Sequence, residues 1–179
     1  LFMKFTKEDA RKRVLNCAKQ YQQNLLHKKL LIIFRERQDN SIRFIEIIFH
    51  ERNYQHLTGL ELTNTEGKIL QHQSKNFYRK CIENKLGLND VDKVMGGVNF
   101  CLGLSRENDV FVPSSALLED IKKLTSSPSQ VLAIFEKDID SELYSTVKHV
   151  AKGLNLHHLI LPPEISSKIS LEHYVYRGK

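Results

Sequence analysis

Two short apolar runs separated by a polar turn place the strongest constraint on how this chain folds. The first run, residues 30–34, is continuous, as in a strand that is covered on both faces. The second, residues 42–49, follows residues 37–41, whose Asp, Asn and Ser side chains favour a reversal of the chain. The pattern therefore predicts a β-hairpin.

The segment before this hairpin has helical periodicity. Thr6 stands three residues before Asp9, which is the spacing of a capping box with Asp in place of Glu. Apolar side chains then recur at helical spacing from Ala10 to Leu25. We expect an amphipathic helix over residues 7–26, with the hairpin packed under it.

The rest of the chain alternates short strands with two more predicted helices. Strands are predicted at residues 56–62, 98–104, 110–112 and 131–135, with residues 156–161 as a possible last strand. Helices are predicted at residues 75–85 and from Ser114 or Ser115 to about residue 124.

These elements predict an α+β fold, in which the N-terminal helix packs on a mostly antiparallel β-sheet and two further helices follow. The length of 179 residues favours one domain. Its core is expected at about residues 6–140, and residues 141–179 are expected to form a weaker, loosely held C-terminal extension.

Composition narrows the class of protein. The chain is 41% hydrophobic and 27% charged, as in globular proteins, and no run approaches 18 apolar residues, so no membrane partner is expected. Three cysteines, Cys17, Cys81 and Cys101, lack C-x-x-C spacing, which argues against a zinc site and favours a reducing cytoplasm. Cys17 and Cys101 are expected to be buried. The frequent Lys, Ile, Asn and Gln are typical of AT-rich bacterial or phage genomes.

The side chains best suited to chemistry follow the second apolar run. In an extended segment Arg52, Tyr54, His56 and Thr58 would project to one side, because side chains alternate between faces. His56 could move a proton near neutral pH, and Arg52 could bind phosphate oxygens. Thr58, beside a possible bulge at Gly59, could bring hydroxyl and main-chain N–H donors to a phosphate.

Each of these residues also has a purely structural explanation. His56 could hydrogen-bond a main-chain group at the sheet edge, and Thr58 is a common strand residue. Arg52 could form a surface ion pair with Glu51 or Glu46.

Basic and aromatic residues elsewhere could contact RNA. Arg35 and Arg37 end the first strand, where alternation would place them on one side, and Lys75, Tyr78 and Arg79 lie on the second predicted helix. Solvated surface charge explains these residues equally well, as it explains the net charge of +6. The chain has no Gly-rich phosphate loop, metal-binding His-Glu motif or paired-carboxylate motif, so neither a metal site nor a cofactor is predicted.

The order of these features resembles a phage- and mobile-element-associated group of the barnase–EndoU–colicin–RelE (BECR) nuclease superfamily, over roughly residues 10–140. The motifs that carry the resemblance are Phe34-Arg35, Asn53-Tyr-Gln-His-Leu-Thr-Gly59, Phe77-Tyr78 with Lys80-Cys81, Asp92-Lys93 before Gly97, Val112-Pro113 and residues 131–135. The resemblance implies a helix-plus-sheet fold and metal-independent RNA cleavage through a 2′,3′-cyclic phosphate. Among site residues it implies only His56 and Thr58.

Three functional hypotheses follow. The first is a cytoplasmic, metal-independent ribonuclease or toxin-like effector that takes RNA as its partner. The alternative is a non-catalytic phage or mobile-element binding protein that acts on a host protein or nucleic acid. The third is a toxin-like domain that is neutralised by a cognate inhibitor.

Overall fold

A computed structural model describes residues 6–58, 60–62, 69–72, 91–170 and 175–176. The described helices are α1 (Lys7–Asn24), α2 (Glu51–Thr58), α3 (Ile121–Leu124) and α4 (Pro163–Ser166), with a 3₁₀ turn at Leu156–His158. The strands are β1 (Lys28–Arg35), β2 (Ile42–Ile48), β3 (Leu60–Leu62), β4 (Ile69–His72), β5 (Lys93–Gly96), β6 (Cys101–Glu107), β7 (Val110–Leu117), β8 (Gln130–Asp138), β9 (Thr146–Val150) and β10 (Val175–Tyr176).

Eight of these strands form one sheet, in the order β10-β9-β8-β1-β2-β7-β6-β5. The pairings of β2 with β7 and of β9 with β10 are parallel, whereas the others in this sheet are antiparallel. Strands β3 and β4 form a separate antiparallel pair. The predicted α+β fold, with an N-terminal helix on a mostly antiparallel sheet, is confirmed.

The central strand β1 is apolar on both faces, because each face of the sheet carries its own core. Ile32 packs into a cluster with Tyr21 of α1 and Tyr54 of α2. Leu31 and Ile33 pack on the opposite face, against buried residues that include Tyr144, Ile165 and Ile169. The continuous apolar run at residues 30–34 therefore reflects two covered faces, and chain beyond residue 140 covers one of them.

The first helix begins as predicted and ends two residues earlier. The Thr6 hydroxyl accepts from the Asp9 N–H (3.1 Å), and the Asp9 carboxylate accepts from the Thr6 N–H (3.0 Å), so the capping box is present. Cys17 is exposed, so its predicted burial is wrong. The buried side of α1 instead passes through Ala18 and Tyr21. Cys101 is buried, as predicted.

The hairpin of β6 and β7 is confirmed, but the helix predicted from Ser114 or Ser115 is wrong at its start. Strand β7 continues through Pro113 to Leu117, and the register shifts where Gly103 and Leu104 face this stretch. A bulge tolerates a proline that cannot donate to the ladder. Only α3 remains helical, and the Asp120 side chain caps it by accepting from the Lys122 N–H (2.9 Å).

Of two further predicted elements, one is wrong and the other is not described by the structure. The possible last strand at residues 156–161 is wrong, because residues 156–158 form the 3₁₀ turn capped by Asn155. The helix predicted at residues 75–85 lies outside the described residues.

Candidate nucleic-acid interface

The stretch that carries the predicted catalytic residues forms helix α2 rather than an extended strand. Of the strand predicted at residues 56–62, residues 56–58 belong to α2 and Leu60–Leu62 is extended. At the start of α2, the His50 N–H donates to the Asn53 side-chain oxygen (2.7 Å), and the Asn53 N–H donates to the His50 carbonyl (3.0 Å). This reciprocal pair resembles a capping box and fixes where the helix begins.

Two buried polar side chains of α2 form hydrogen bonds to neighbouring elements of the fold. The Asn53 side-chain amide, 3% exposed, donates to the carbonyl of Pro113 in β7 (2.9 Å). The Tyr54 hydroxyl donates to the carbonyl of Val14 in α1 (2.7 Å). From α1, the Tyr21 hydroxyl donates to the His50 carbonyl (2.8 Å). These bonds hold α2 between α1 and β7, so its position relative to the sheet is fixed at several points.

The predicted extended conformation, in which Arg52, Tyr54, His56 and Thr58 would project to one side, is therefore wrong. On a helix, positions 52 and 56 are one turn apart and share a face, whereas positions 54 and 58 share another. Tyr54 is only 8% exposed, and burial raises the pKa of its hydroxyl. Its contacts make it a residue that positions α2, and they separate it from Arg52. The side chains of His56 and Thr58 lie outside the described part of the structure, so their roles stay predictions.

Arg52 is exposed and forms an ion pair across the surface with Glu107 at the end of β6. The structural explanation of Arg52 as a surface ion pair named Glu51 or Glu46 as the partner, and the partner is Glu107. Glu46 instead bonds to Tyr144, on the sheet face opposite α2. The side chains of Arg52 and Glu107 are 59% and 42% exposed, so the pair is worth at most about 1 kcal/mol. A phosphate group can compete for the Arg52 guanidinium at that cost.

Thr58 is the last residue of α2. Main-chain carbonyl groups, not N–H groups, lack partners at the C-terminal end of a helix, and the helix dipole is negative there. The main-chain N–H donors that a strand with a bulge would supply near Thr58 are therefore not part of this helix end.

Of the arginines predicted to contact RNA, Arg35 lies away from α2. Arg35 is the last residue of β1 and follows Leu31 and Ile33 by alternation, which places it on the sheet face opposite α2. Its Nε is buried and has no hydrogen-bond partner among the described residues. Arg37 is exposed in the turn after β1, so strand alternation does not reach it. Lys75, Tyr78 and Arg79 lie outside the described residues.

A groove of about 500 Å³ opens on the same sheet face as α2. Its apolar wall includes Ile32, Phe34 and Leu104, and the Lys93 ammonium lies 5.8 Å from the centre of the Phe34 ring. At its edge Glu36 accepts a hydrogen bond from the Ser129 hydroxyl (2.6 Å). The groove therefore presents both apolar and polar side chains to solvent. Strands and loops far apart in sequence build this groove, so local patterns gave no signal for it.

Within the ranges described above, no three His, Cys, Asp or Glu side chains are grouped closely enough to hold a metal ion. None of the helices in those ranges has the length and apolar character needed to cross a membrane.

Comparison with known proteins gives a family match for the segment that contains α2. Residues 13–97, slightly under half of the chain, match a family model described as phage-Barnase-EndoU-ColicinE5/D-RelE like nuclease4. The resemblance to the BECR nuclease family is confirmed. The matched segment runs from α1 through the β1–β2 hairpin and α2 to β5. No curated protein and no solved structure gives a significant match.

The BECR family name denotes a nuclease, which indicates nucleic acid as the substrate class. The match ends at residue 97, yet strands β6 to β10 of the main sheet lie beyond it. The sheet on which the matched segment folds is therefore completed by residues outside that segment.

Proposed function

We propose that this protein is a metal-independent ribonuclease that uses the solvent-facing side of α2. The observation that carries the proposal is the nuclease-family match over residues 13–97, which contains a helix with an exposed arginine at position 52 and a histidine one turn later. An imidazole and a guanidinium one helical turn apart can approach the same phosphodiester. RNA is the proposed substrate because its 2′-hydroxyl supplies the nucleophile without a metal-activated water.

In this proposal His56 accepts the proton of the 2′-hydroxyl as its oxygen attacks phosphorus. The bond from phosphorus to the 5′-oxygen breaks, and a proton returns to that oxygen as it leaves. The products are a 2′,3′-cyclic phosphate and a 5′-hydroxyl. An imidazole suits both proton transfers because its ordinary pKa lies close to neutrality.

Arg52 is proposed to bind the phosphate oxygens on which charge develops. Its guanidinium offers a planar pair of N–H donors that matches two phosphate oxygens. In the free protein these donors are engaged with Glu107. Substrate binding would exchange one exposed carboxylate for the phosphodiester, so Glu107 acts as a weak competitor.

The test is incubation of the purified protein with mixed-sequence RNA in excess EDTA, followed by analysis of the product ends. We expect cleavage to leave 2′,3′-cyclic phosphate ends. His56→Ala should lower the rate by about 10²- to 10⁴-fold, as for loss of a general acid–base group. Arg52→Ala should lower the rate by about 10²-fold, as for loss of one charge-stabilising donor.

The matched control is His149→Ala, which removes an exposed imidazole from β9 and should leave the rate unchanged. A second control is the same RNA sequence with 2′-deoxy sugars, which should stay intact. Loss of activity in EDTA, cleavage of the deoxy substrate, or full activity in folded His56→Ala would each contradict the mechanism. Binding of RNA without products would instead favour the non-catalytic binding protein.

A further inference from the structure

Two lysines contact one carboxylate, and a third lysine lies near it, on the sheet face opposite α1 and α2. We call Lys29, Lys137 and Lys168, together with Glu46 and Tyr144, the lysine cluster. Lys29 and Lys168 lie 3.2 Å and 3.4 Å from the Glu46 carboxylate oxygens. The Tyr144 hydroxyl donates to the same carboxylate (2.6 Å).

Strand register brings two of these positive charges together. Lys29 of β1 stands directly opposite Lys137 of β8 in their antiparallel pairing. Side chains that face each other in this way lie about 4.5–5.5 Å apart at Cβ, and like charges at such a position are destabilising. The fold therefore maintains a local repulsion in this part of the sheet.

Around Lys137 the cluster brings together three ammonium groups and, with Glu142, two carboxylates. Burial lowers the pKa of Lys137, and Lys29 and Lys168 lower it further, while Glu46 and Glu142 act in the opposite direction. Glu142 is exposed, so its charge is well screened. An additional anion would relieve the remaining excess of positive charge.

The ammonium groups also keep donors for such an anion. Each ammonium carries three N–H donors. Lys29 and Lys168 each bond once to Glu46, and Lys137 donates to the main-chain carbonyl groups of Ser141 (2.6 Å) and Glu142 (3.0 Å). The Lys168 side chain is 36% exposed and that of Lys29 is 19% exposed, so solvent reaches the cluster.

We propose that the lysine cluster is a binding site for a phosphate-type oxyanion. Multiple ammonium donors around a half-buried position match the several oxygens and the negative charge of a phosphate group. The site lies on the other side of the sheet from α2, so it is separate from the proposed nuclease site and does not depend on it. The phosphate could be free or could belong to a nucleic-acid strand.

The experiment is a calorimetric titration of the full chain with sodium phosphate, in sodium chloride that keeps the ionic strength constant. Saturable binding is expected. Lys168→Gln should weaken it roughly tenfold, the factor that one charge-assisted hydrogen bond typically contributes. The control is Lys148→Gln, which removes the same charge from a lysine paired with Glu136 (3.1 Å) and should leave the affinity within about twofold.

Glu46→Gln provides the opposite test, because it removes the carboxylate that competes for the ammonium donors. This variant should bind phosphate more tightly than the original protein. A DNA oligonucleotide without terminal phosphate, titrated under the same conditions, distinguishes the sources. If the oligonucleotide binds and Lys168→Gln weakens that binding, the site takes the phosphates of a nucleic-acid strand. If only inorganic phosphate binds, the site takes free phosphate.

The proposal is overturned if phosphate produces no saturable binding beyond chloride, or if Lys148→Gln weakens binding as much as Lys168→Gln does. Weaker binding by a folded Glu46→Gln protein would also overturn it. If that variant does not fold, the comparison of Lys168→Gln with Lys148→Gln decides the question. If the protein binds phosphate but does not cleave RNA, the nuclease proposal is refuted and the phosphate-site proposal stands.

Discussion

The attachment of α2, the helix of the proposed site, to β7 should depend on the buried side-chain amide of Asn53. Asn53 accepts from the His50 N–H and donates to the Pro113 carbonyl, and it is only 3% exposed. Asn53→Ala removes both bonds and leaves two main-chain groups without a side-chain partner. We expect this substitution to destabilise the protein strongly and to loosen α2 where it meets β7.

The magnitude follows from these two bonds. Each intramolecular hydrogen bond contributes about 1 kcal/mol net, and a buried group left unpaired costs about 1–3 kcal/mol. Pro113 is buried, whereas His50 is half-buried and can regain water. The expected fall in the free energy of unfolding is therefore roughly 2–4 kcal/mol, which for a domain of this size lowers Tm by roughly 4–16 °C.

The assay is urea unfolding followed by circular dichroism, with the free energy of unfolding taken from the midpoint and slope. Asn16→Ala is the matched control, because Asn16 is exposed on α1 and alanine favours helix; its effect should stay within about 0.5 kcal/mol. A loss below about 1 kcal/mol in Asn53→Ala would refute the claim that this amide fastens α2.

Three other substitutions test separate parts of the structure. Tyr54→Phe should lower the free energy of unfolding by about 1 kcal/mol through loss of the bond to Val14, while RNA cleavage by the folded protein stays within about twofold; a much larger loss of rate would restore Tyr54 as a catalytic residue. Glu107→Gln should change stability by less than about 1 kcal/mol but lower KM for RNA, because Arg52 loses its competitor; initial rates at several RNA concentrations measure this, and an unchanged KM would contradict the competition. Burial raises the pKa of Glu46, but the Tyr144 hydroxyl and two lysines of the cluster outweigh it and hold this pKa below its ordinary value of 4.5. The stabilisation from the ionised Glu46 carboxylate is therefore present above about pH 4.5 and is lost as the pH falls through the folded pKa. In urea unfolding, the free energy of unfolding of the original protein should exceed that of Glu46→Gln by less as the pH is lowered. A difference that grows at low pH would contradict this sign.

Local sequence signals predicted the elements whose pattern lies within one short stretch of the chain. The capping pair Thr6 and Asp9 marked the start of α1, and the two apolar runs marked β1 and β2. A turn between apolar segments also marked the β6–β7 hairpin. These signals succeed because capping and strand alternation depend on residues that are neighbours in sequence.

Helix α2 is the element at which the local sequence pattern predicts the wrong structure. A helical signal was present, because Asn53, Tyr54 and Leu57 have the one- and three-residue steps of a single helix face. Alternating polar side chains in the same stretch fit an extended strand equally well. The contacts of Asn53 with Pro113 and of Tyr54 with Val14 join residues distant in sequence and favour the helix, and Tyr54 is buried as a result.

By itself the sequence determined the fold class, the first helix and its hairpin, and a resemblance to nucleases carried by short motifs. Tertiary structure alone decided which polar residues share a surface. It placed Arg52 beside Glu107, paired Lys29 and Lys168 with Glu46, and covered the second face of the sheet with residues after 140. The physical reason is that strand order and register bring together side chains far apart in the chain, and no local period of the sequence encodes that order.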